Sequence, residues 1–291
     1  MSNKTNHMRY DNAWYSGDPK ELCKDIQKAI ESSPKTKHNV SSAILPHAGH
    51  LFSARGMAHF FKNCSSKTKH IVIMAPSHRE YLSPDIIRYS TFSHHETPSG
   101  NIPGFRLKNL EESNLSAENN TAVENEHAVE MFLPFIKNIF NDKVSVTSLL
   151  IPEISDLNSL KNLAEAVIES TPENTAYIAS SDFTHYGSRF GYTPFGTSDM
   201  AKIFRETKNY DMKYAQYIAE KKTEKAFALA KHERPTICGI FPALILSEIM
   251  RMKNKIGTVA DYYTSNDIGQ KAFDFVAYAT ILFHEKQKES K

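Results

Sequence analysis

Three apolar segments of this chain each end on residues that can bind metal or transfer protons. "SSAILPH" leads to His47, "IVIMAPSH" leads to His78, and "AYIASSDFTH" leads to Asp182 and His185. Near-continuous apolar runs of this length predict strands that are buried on both faces of a parallel sheet. Because ligands bind outside the carboxyl ends of the strands in open α/β sheets, we expect these four side chains to converge on one cleft.

Helices alternate with the apolar segments. "DPKELCKDIQKAIESS" carries Leu22, Ile26 and Ile30 at helical spacing, with Asp18 placed as its cap. A helix in "SARGMAHFFKNC" joins the first two strands, and further strands are predicted in "VSVTSLLI" and "TAYIASS". This alternation predicts an α/β fold in which helices flank a mixed, largely parallel central sheet. The chain has no low-complexity linker, so we expect one domain over residues 1–291.

The remaining segments extend the same architecture. We predict a long loop with a short helix at most over residues 97–124, and a helix interrupted at Pro134 in "ENEHAVEMFLPFIKNIF". Residues 199–231 have a helical pattern, and "ICGIFPALILSEIMRM" predicts a buried helix. The closing segments "TVADYYTS" and "FDFVAYATILF" predict an antiparallel hairpin, joined by the polar turn "NDIGQK".

Composition excludes several classes of partner. The formal charge of +2 gives no electrostatic case for nucleic acid, and no apolar run approaches the roughly 18 residues of a membrane span. The chain has neither a Gly-rich phosphate loop nor a dinucleotide fingerprint, so we expect no nucleotide cofactor. Its polar start is not that of a signal peptide. We expect a cytoplasmic protein, with the nucleus as an additional compartment.

The three cysteines form no CxxC pair, which argues against a disulfide framework. Cys238 stands directly before the predicted apolar helix, where the helix dipole stabilises a thiolate that can act as nucleophile or metal ligand. The alternative is a small buried apolar residue, and we assign that role to Cys23 and Cys64.

A histidine and a glutamate share one face of the helix in "ENEHAVEMFLP". His127 and Glu130 are three residues apart and can hydrogen bond to each other or line the cleft. A solvated polar face accounts for Glu124 and Glu126 equally well.

Several motifs together resemble one known family. "PHAGH", "APSHRE", "ENEHAVEMFLPF", "SSDFTHYGSRF" and "TICGIFP" occur in the order found in the Memo family, whose vertebrate namesake mediates ErbB2-driven cell motility. "AWYSGDPKEL" and "VAYAT" extend the match to nearly the whole chain. The family is similar in fold to class III extradiol dioxygenases, which are non-heme iron enzymes.

The resemblance implies a role for each of six residues. His47, His78 and Cys238 stand where the dioxygenases hold iron with two histidines and a carboxylate. His185 matches the dioxygenase acid/base histidine, with Asp182 beside it. His127 is placed on the cleft wall, where it contacts the bound cofactor.

The metal and the partners also follow from the resemblance. A thiolate in place of a carboxylate favours softer metals, so we expect iron or copper, with zinc as a further candidate, and not classical extradiol ring cleavage. The family implies metal-dependent redox chemistry linked to signalling and cell motility. Its partners are phosphotyrosine-containing receptor segments and cytoskeletal regulators.

Two other functions use the same residues. In a cysteine hydrolase, Cys238 is the nucleophile, His185 the base and Asp182 the residue that orients it. In a binding module, the cleft receives a phosphorylated peptide that pairs with arginines near the motif loops. Those arginines are Arg79, Arg88 and Arg189.

Overall fold

The structure is a computed structural model that describes residues 4–269 and 271–286. Its helices are α1 Pro19–Ser32, α2 His50–Asn63, α3 Lys108–Glu111, α4 Asn120–Glu124, α5 His127–Glu130, α6 Leu133–Phe140, α7 Leu157–Ser170, α8 Met200–Ala219, α9 Thr223–Glu233 and α10 Ile240–Met252. Its strands are β1 Thr5–Asn6, β2 Val40–Leu45, β3 His70–Ala75, β4 Ile87–Tyr89, β5 His94–His95, β6 Ile102–Pro103, β7 Ser116–Glu118, β8 Ser145–Leu150, β9 Thr175–Ser180, β10 His185–Tyr186, β11 Ile256–Thr264 and β12 Phe275–His284.

The main sheet has the order β10-β12-β2-β9-β3-β8-β4-β7, and β11 pairs with β12. Its centre is parallel, since β2 pairs with β9, β9 with β3 and β3 with β8 in the same direction. Antiparallel pairs flank this centre, with β12 beside β2 and β4 beside β8. The predicted α/β fold with a mixed sheet is confirmed.

Alternate side chains of the central strands form two cores. In β2, Ile44 packs with residues of α7, α8, α9 and α10 on one face of the sheet. Ala43 and Leu45 point to the opposite face, where they pack with α1, α2 and α6. The parallel strands are therefore covered on both sides, as their continuous apolar sequences predict.

Local predictions are largely confirmed. The Asp18 carboxylate accepts hydrogen bonds from the first backbone N–H groups of α1, and the helix that contains Pro134 is split into α5 and α6. β11 and β12 form the expected antiparallel pair. Gln270, within the predicted turn, lies outside the described residues. The prediction for residues 97–124 is wrong in part, because this segment contains two short helices and two short strands.

No helix within residues 4–269 and 271–286 is long and apolar enough to cross a membrane.

Candidate metal centre

The carboxyl ends of three adjacent strands deliver side chains to one place. β9 lies between β2 and β3 in the sheet, and the three strands end at Leu45, Ala75 and Ser180. His47 follows β2 by two residues and His78 follows β3 by three. Both histidines therefore come to the same edge of the sheet, together with His127, the first residue of α5.

His47, His78 and His127 form a cluster that could hold a metal ion. One ring nitrogen from each of the three residues lies within 4.8 Å of the others. The centroids of the His78 and His127 rings are 4.5 Å apart, and each is 5.2–5.3 Å from the His47 ring. His47 and His127 are buried, whereas the His78 side chain is 30% exposed. The cluster is thus accessible from one side.

The tautomer of His47 follows from its hydrogen bonds. Ser180 Oγ donates its only proton to the carbonyl of Ala128, at 2.7 Å. Because that hydroxyl can then only accept from His47, Nδ1 of His47 must carry the proton in the 2.7 Å contact between them. In the neutral ring, Nε2 is left unprotonated, as a metal ligand requires.

Glu126 fixes the second histidine. Its carboxylate accepts hydrogen bonds from the backbone N–H of His78 at 2.6 Å, from Nδ1 of His78 at 2.8 Å and from the backbone N–H of Ala128 at 3.1 Å. Nδ1 of His127 lies 3.1 Å from the same carboxylate. Burial opposes ionisation of Glu126, but His127 and His78 outweigh it and hold the pKa of this carboxyl well below its usual range. The interpretation of Glu126 as part of a solvated face is wrong.

Cys238 lies beside His47, at the start of the apolar helix. Its Sγ is 3.2 Å from Nε2 of His47 and 3.6 Å from the carbonyl oxygen of Asp182. The next residue, Gly239, is the N-cap of α10. Burial, reinforced by the nearby Asp182, raises the pKa of the Cys238 thiol well above its ordinary value. The expectation that the helix terminus lowers this pKa is therefore wrong, because desolvation dominates.

Asp182 and His185 are not hydrogen bonded to each other in the described structure. Asp182 Oδ1 accepts from the backbone N–H of His47 at 2.8 Å, and burial raises the pKa of this carboxyl. Nδ1 of His185 lies 3.0 Å from the carbonyl of Phe183 and 2.9 Å from that of Thr236, so it carries a proton and donates to them. Asp182 thus holds the loop of His47, while backbone groups orient His185.

The segment before α1 forms a wall of the cluster. Trp14 packs on His127 with ring centroids 4.5 Å apart, and Tyr10 contacts both rings. Glu130 anchors this segment and does not bond to His127. Its carboxylate accepts from the backbone N–H groups of Arg9 and Tyr10, and from the hydroxyl of Tyr15 at 2.6 Å.

Sequence reasoning missed two partners of the cluster. The signal for Glu126 was its position directly before His127, which brings both residues into the same first turn of a helix. No comparable signal existed for Ser180. Its role depends on β9 lying next to β2, and "SS" at a strand end is common in chains of any function.

Comparison with known proteins gives a consistent picture. A family model described as Memo-like protein matches residues 7–282. The protein memo-1 homolog of Caenorhabditis elegans is 27% identical over 286 residues, covering 93% of this chain and 80% of the relative. A MEMO1 family protein of Pyrococcus horikoshii is 27% identical over 261 residues, with 85% and 88% covered. Protein MEMO1 of Xenopus laevis is 26% identical over 262 residues, with 84% and 85% covered.

Proposed function

This chain belongs to the Memo family, and we propose that it binds a redox-active transition metal, iron or copper, at the strand-end cluster. His47 and His78 are the two imidazole ligands and Cys238 is the third ligand. His127 faces the bound species from the cleft wall. The observation that carries the metal proposal is the convergence of ring nitrogens of His47, His78 and His127 within 4.8 Å, and the 3.2 Å distance from Cys238 Sγ to His47 Nε2 supports the thiolate as third ligand.

The donor set suits such a metal. Ligand bonds to first-row transition metals are about 2.0–2.3 Å long, so two ligand atoms on one ion lie roughly 3–4 Å apart. The 3.2 Å distance between Cys238 Sγ and His47 Nε2 fits this range. Ser180 and Glu126 bond to the Nδ1 atoms of His47 and His78 and leave each Nε2 free. A metal-bound histidine typically donates such a hydrogen bond from the ring nitrogen that does not bind the metal.

The ligand types favour iron or copper. Imidazole binds both metals, and a thiolate adds a soft donor that stabilises reduced copper. A bound ion would supply one-electron redox chemistry, and it would also favour loss of the Cys238 proton that burial otherwise retains. A reducing compartment such as the cytoplasm would keep that thiol from oxidation.

The remaining residues have defined tasks in this proposal. Asp182 holds the His47 loop through the backbone N–H of His47. His185 is the acid/base group, because its Nδ1 is fixed by two carbonyls and its Nε2 stays available for a proton. The same contacts weaken the cysteine hydrolase alternative, since Asp182 does not orient His185 and the thiol stays protonated.

A role in signalling through a phosphotyrosine-containing segment is the second candidate. Its support is Arg189, whose guanidinium lies 5.9 Å from the Phe190 ring and has no salt bridge with any described residue. The Phe190 ring in turn contacts the His185 ring, at 5.2 Å between centroids. An unpaired arginine next to the cleft provides the donor that phosphate recognition needs. A link to cytoskeletal regulators rests on the family alone.

Anaerobic reconstitution tests the metal proposal. The purified chain is treated with a chelator, incubated separately with ferrous and cuprous ions, and analysed for bound metal. We expect about one ion per chain, lost in His78→Ala and retained in His38→Ala, a control histidine whose ring stacks on His284 away from the cluster. A chain that stays metal-free with both ions contradicts the proposal.

A further inference from the structure

A pocket lies at the amino ends of the central parallel strands, opposite to the histidine cluster. Its volume is about 400 Å³, and residues just before three parallel strands line it. Asn39 precedes β2, Lys67 stands before β3, and Asn174 precedes β9. The histidine cluster follows the carboxyl ends of these strands, so the two sites are separated by the length of the strands.

The pocket contains more positive than negative charge. Lys67, Lys253 and Lys255 line it together with a single acid, Glu285. Glu285 forms an ion pair with Lys255. Neither Lys67 nor Lys253 has a salt bridge to any residue of the described part of the chain, so two ammonium groups remain without a counter-ion. The pocket therefore has the charge to match a dianion.

The surroundings of Lys253 also favour a bound anion. Its Nζ lies 5.5 Å from the centroid of the Tyr177 ring, which also lines the pocket. Burial, and then the neighbouring Lys255, lower the pKa of Lys253. Both effects disfavour the charged ammonium of Lys253. An anion bound next to Lys253 would offset them, because it stabilises the charged form.

Neutral donors complete the set. The side-chain amides of Asn39 and Asn174 make no hydrogen bond to other residues within the described ranges, and several serine and threonine residues also line the pocket. A phosphate group presents three oxygens that accept hydrogen bonds, and amides and ammonium groups are its usual donors. The small volume and polar lining leave room for a short polar substituent and not for a large apolar one.

We propose that this pocket binds a small phosphomonoester, with Lys67 and Lys253 pairing with the phosphate dianion and the amides of Asn39 and Asn174 donating to its oxygens. The site is independent of the metal centre and of the function proposed for it. Inorganic phosphate has the same recognition chemistry, so the experiment compares the two.

Calorimetric titration tests this site. The full chain, kept in a chelator so that phosphate cannot bind through a metal, is titrated at low salt with glycerol 3-phosphate, inorganic phosphate and glycerol. We expect saturable binding of glycerol 3-phosphate with a Kd below about 1 mM and no binding of glycerol. Lys253→Met and Lys67→Met should each weaken binding about tenfold. His78→Ala should bind as the unaltered chain does.

The matched control is Lys24→Met, which removes the same charge from the exposed face of α1. Its Kd should stay within about twofold of the unaltered value, because Lys24 does not line the pocket, whereas a general loss of positive charge would weaken binding in all three lysine variants equally. Equal weakening in Lys24→Met and Lys253→Met would show non-specific attraction and overturn the proposal. Loss of binding in His78→Ala, or binding of inorganic phosphate but not of glycerol 3-phosphate, would also overturn it.

Discussion

His47 is held from both sides of its ring, with Nδ1 2.7 Å from Ser180 Oγ and Nε2 3.2 Å from Cys238 Sγ. The serine hydroxyl in turn donates a hydrogen bond to the carbonyl of Ala128. The orientation of the ring and its tautomer are thus set before any metal binds. Such preorganisation lowers the cost of assembling a metal site.

Ser180→Ala should weaken both the fold and the metal site. It leaves the Nδ1 proton of His47 and the carbonyl of Ala128 without a partner in a buried place, which costs about 1–3 kcal/mol of unfolding free energy. Metal affinity should fall about 10–100-fold, because the imidazole loses the group that fixes its tautomer. Chemical denaturation and a competitive chelator titration measure the two effects.

The control for this variant is Ser148→Ala. Ser148 is buried in β8, which is separated from β9 by β3, and its hydroxyl makes no hydrogen bond in the described structure. Removal of an unpaired hydroxyl should cost little stability and leave metal affinity unchanged. If Ser148→Ala and Ser180→Ala weaken metal binding equally, the proposed role of Ser180 is wrong.

Glu126→Gln should reduce metal affinity while the fold is retained. The amide keeps one acceptor oxygen but loses the charge that faces His78 and His127, so the imidazole of His78 becomes a poorer ligand. We expect a loss of about 10–100-fold in a chelator competition. Glu124→Gln is the control, since Glu124 pairs with Arg9 and, within the described residues, forms no hydrogen bond or ion pair with the clustered histidines. Unchanged affinity in Glu126→Gln would exclude the carboxylate as a support for the site.

The sequence was sufficient to predict the architecture and the meeting of strand-end side chains at one edge of the sheet, for a physical reason. Continuous apolar runs specify buried parallel strands, and parallel strands bring His47, His78 and Asp182 to one edge. The partners of those residues were harder to predict. Glu126 and Glu130 are close in sequence, yet one supports His78 and the other anchors the segment at Tyr10 and Tyr15.

Glu126 is the N-cap of α5 and Glu130 is its last residue, and a sequence pattern does not give the direction of either side chain at the ends of a helix of four residues. The segment at 97–124 was missed for a related reason. Its strands β6 and β7 have two and three residues, too short for an alternating pattern to be recognised.

Asp211 should make stability depend on pH. This carboxyl of α8 is fully buried, and it accepts from the hydroxyls of Thr184 at 2.5 Å and Tyr262 at 2.8 Å. Burial outweighs these bonds and raises its pKa to about 7. Because the folded pKa exceeds the unfolded value of about 3.9, the folded state holds the proton more tightly, and this contribution to stability is lost as pH rises from about 4 to 7.

The variant Asp211→Asn isolates this effect. It cannot ionise, so its unfolding free energy should lack the part of the decline, at most about 1.4 kcal/mol per pH unit, that Asp211 adds to the unaltered chain. Urea unfolding at pH 5, 6, 7 and 8 measures both slopes. Identical slopes in the two proteins would show that Asp211 does not take up a proton on folding in this range.

The third metal ligand is decided by comparing Cys238→Ser with His127→Ala. Cys238 Sγ is close to His47 Nε2, whereas His127 shares the histidine cluster with His47 and His78, so both can supply the donor. If Cys238 is the ligand, Cys238→Ser should keep its melting temperature and lose most metal, since a neutral hydroxyl of similar volume is a poor ligand. His127→Ala should then retain most of its metal.

Cys238→Asp adds a test of the donor type. A carboxylate should restore part of the ferrous binding and little of the cuprous binding, because hard oxygen donors suit ferrous iron and soft donors suit cuprous copper. His185→Ala serves as the reference, since it removes a histidine outside the three-histidine cluster and should leave metal content unchanged. Full metal retention in Cys238→Ser together with loss in His127→Ala would replace the thiolate by a third imidazole.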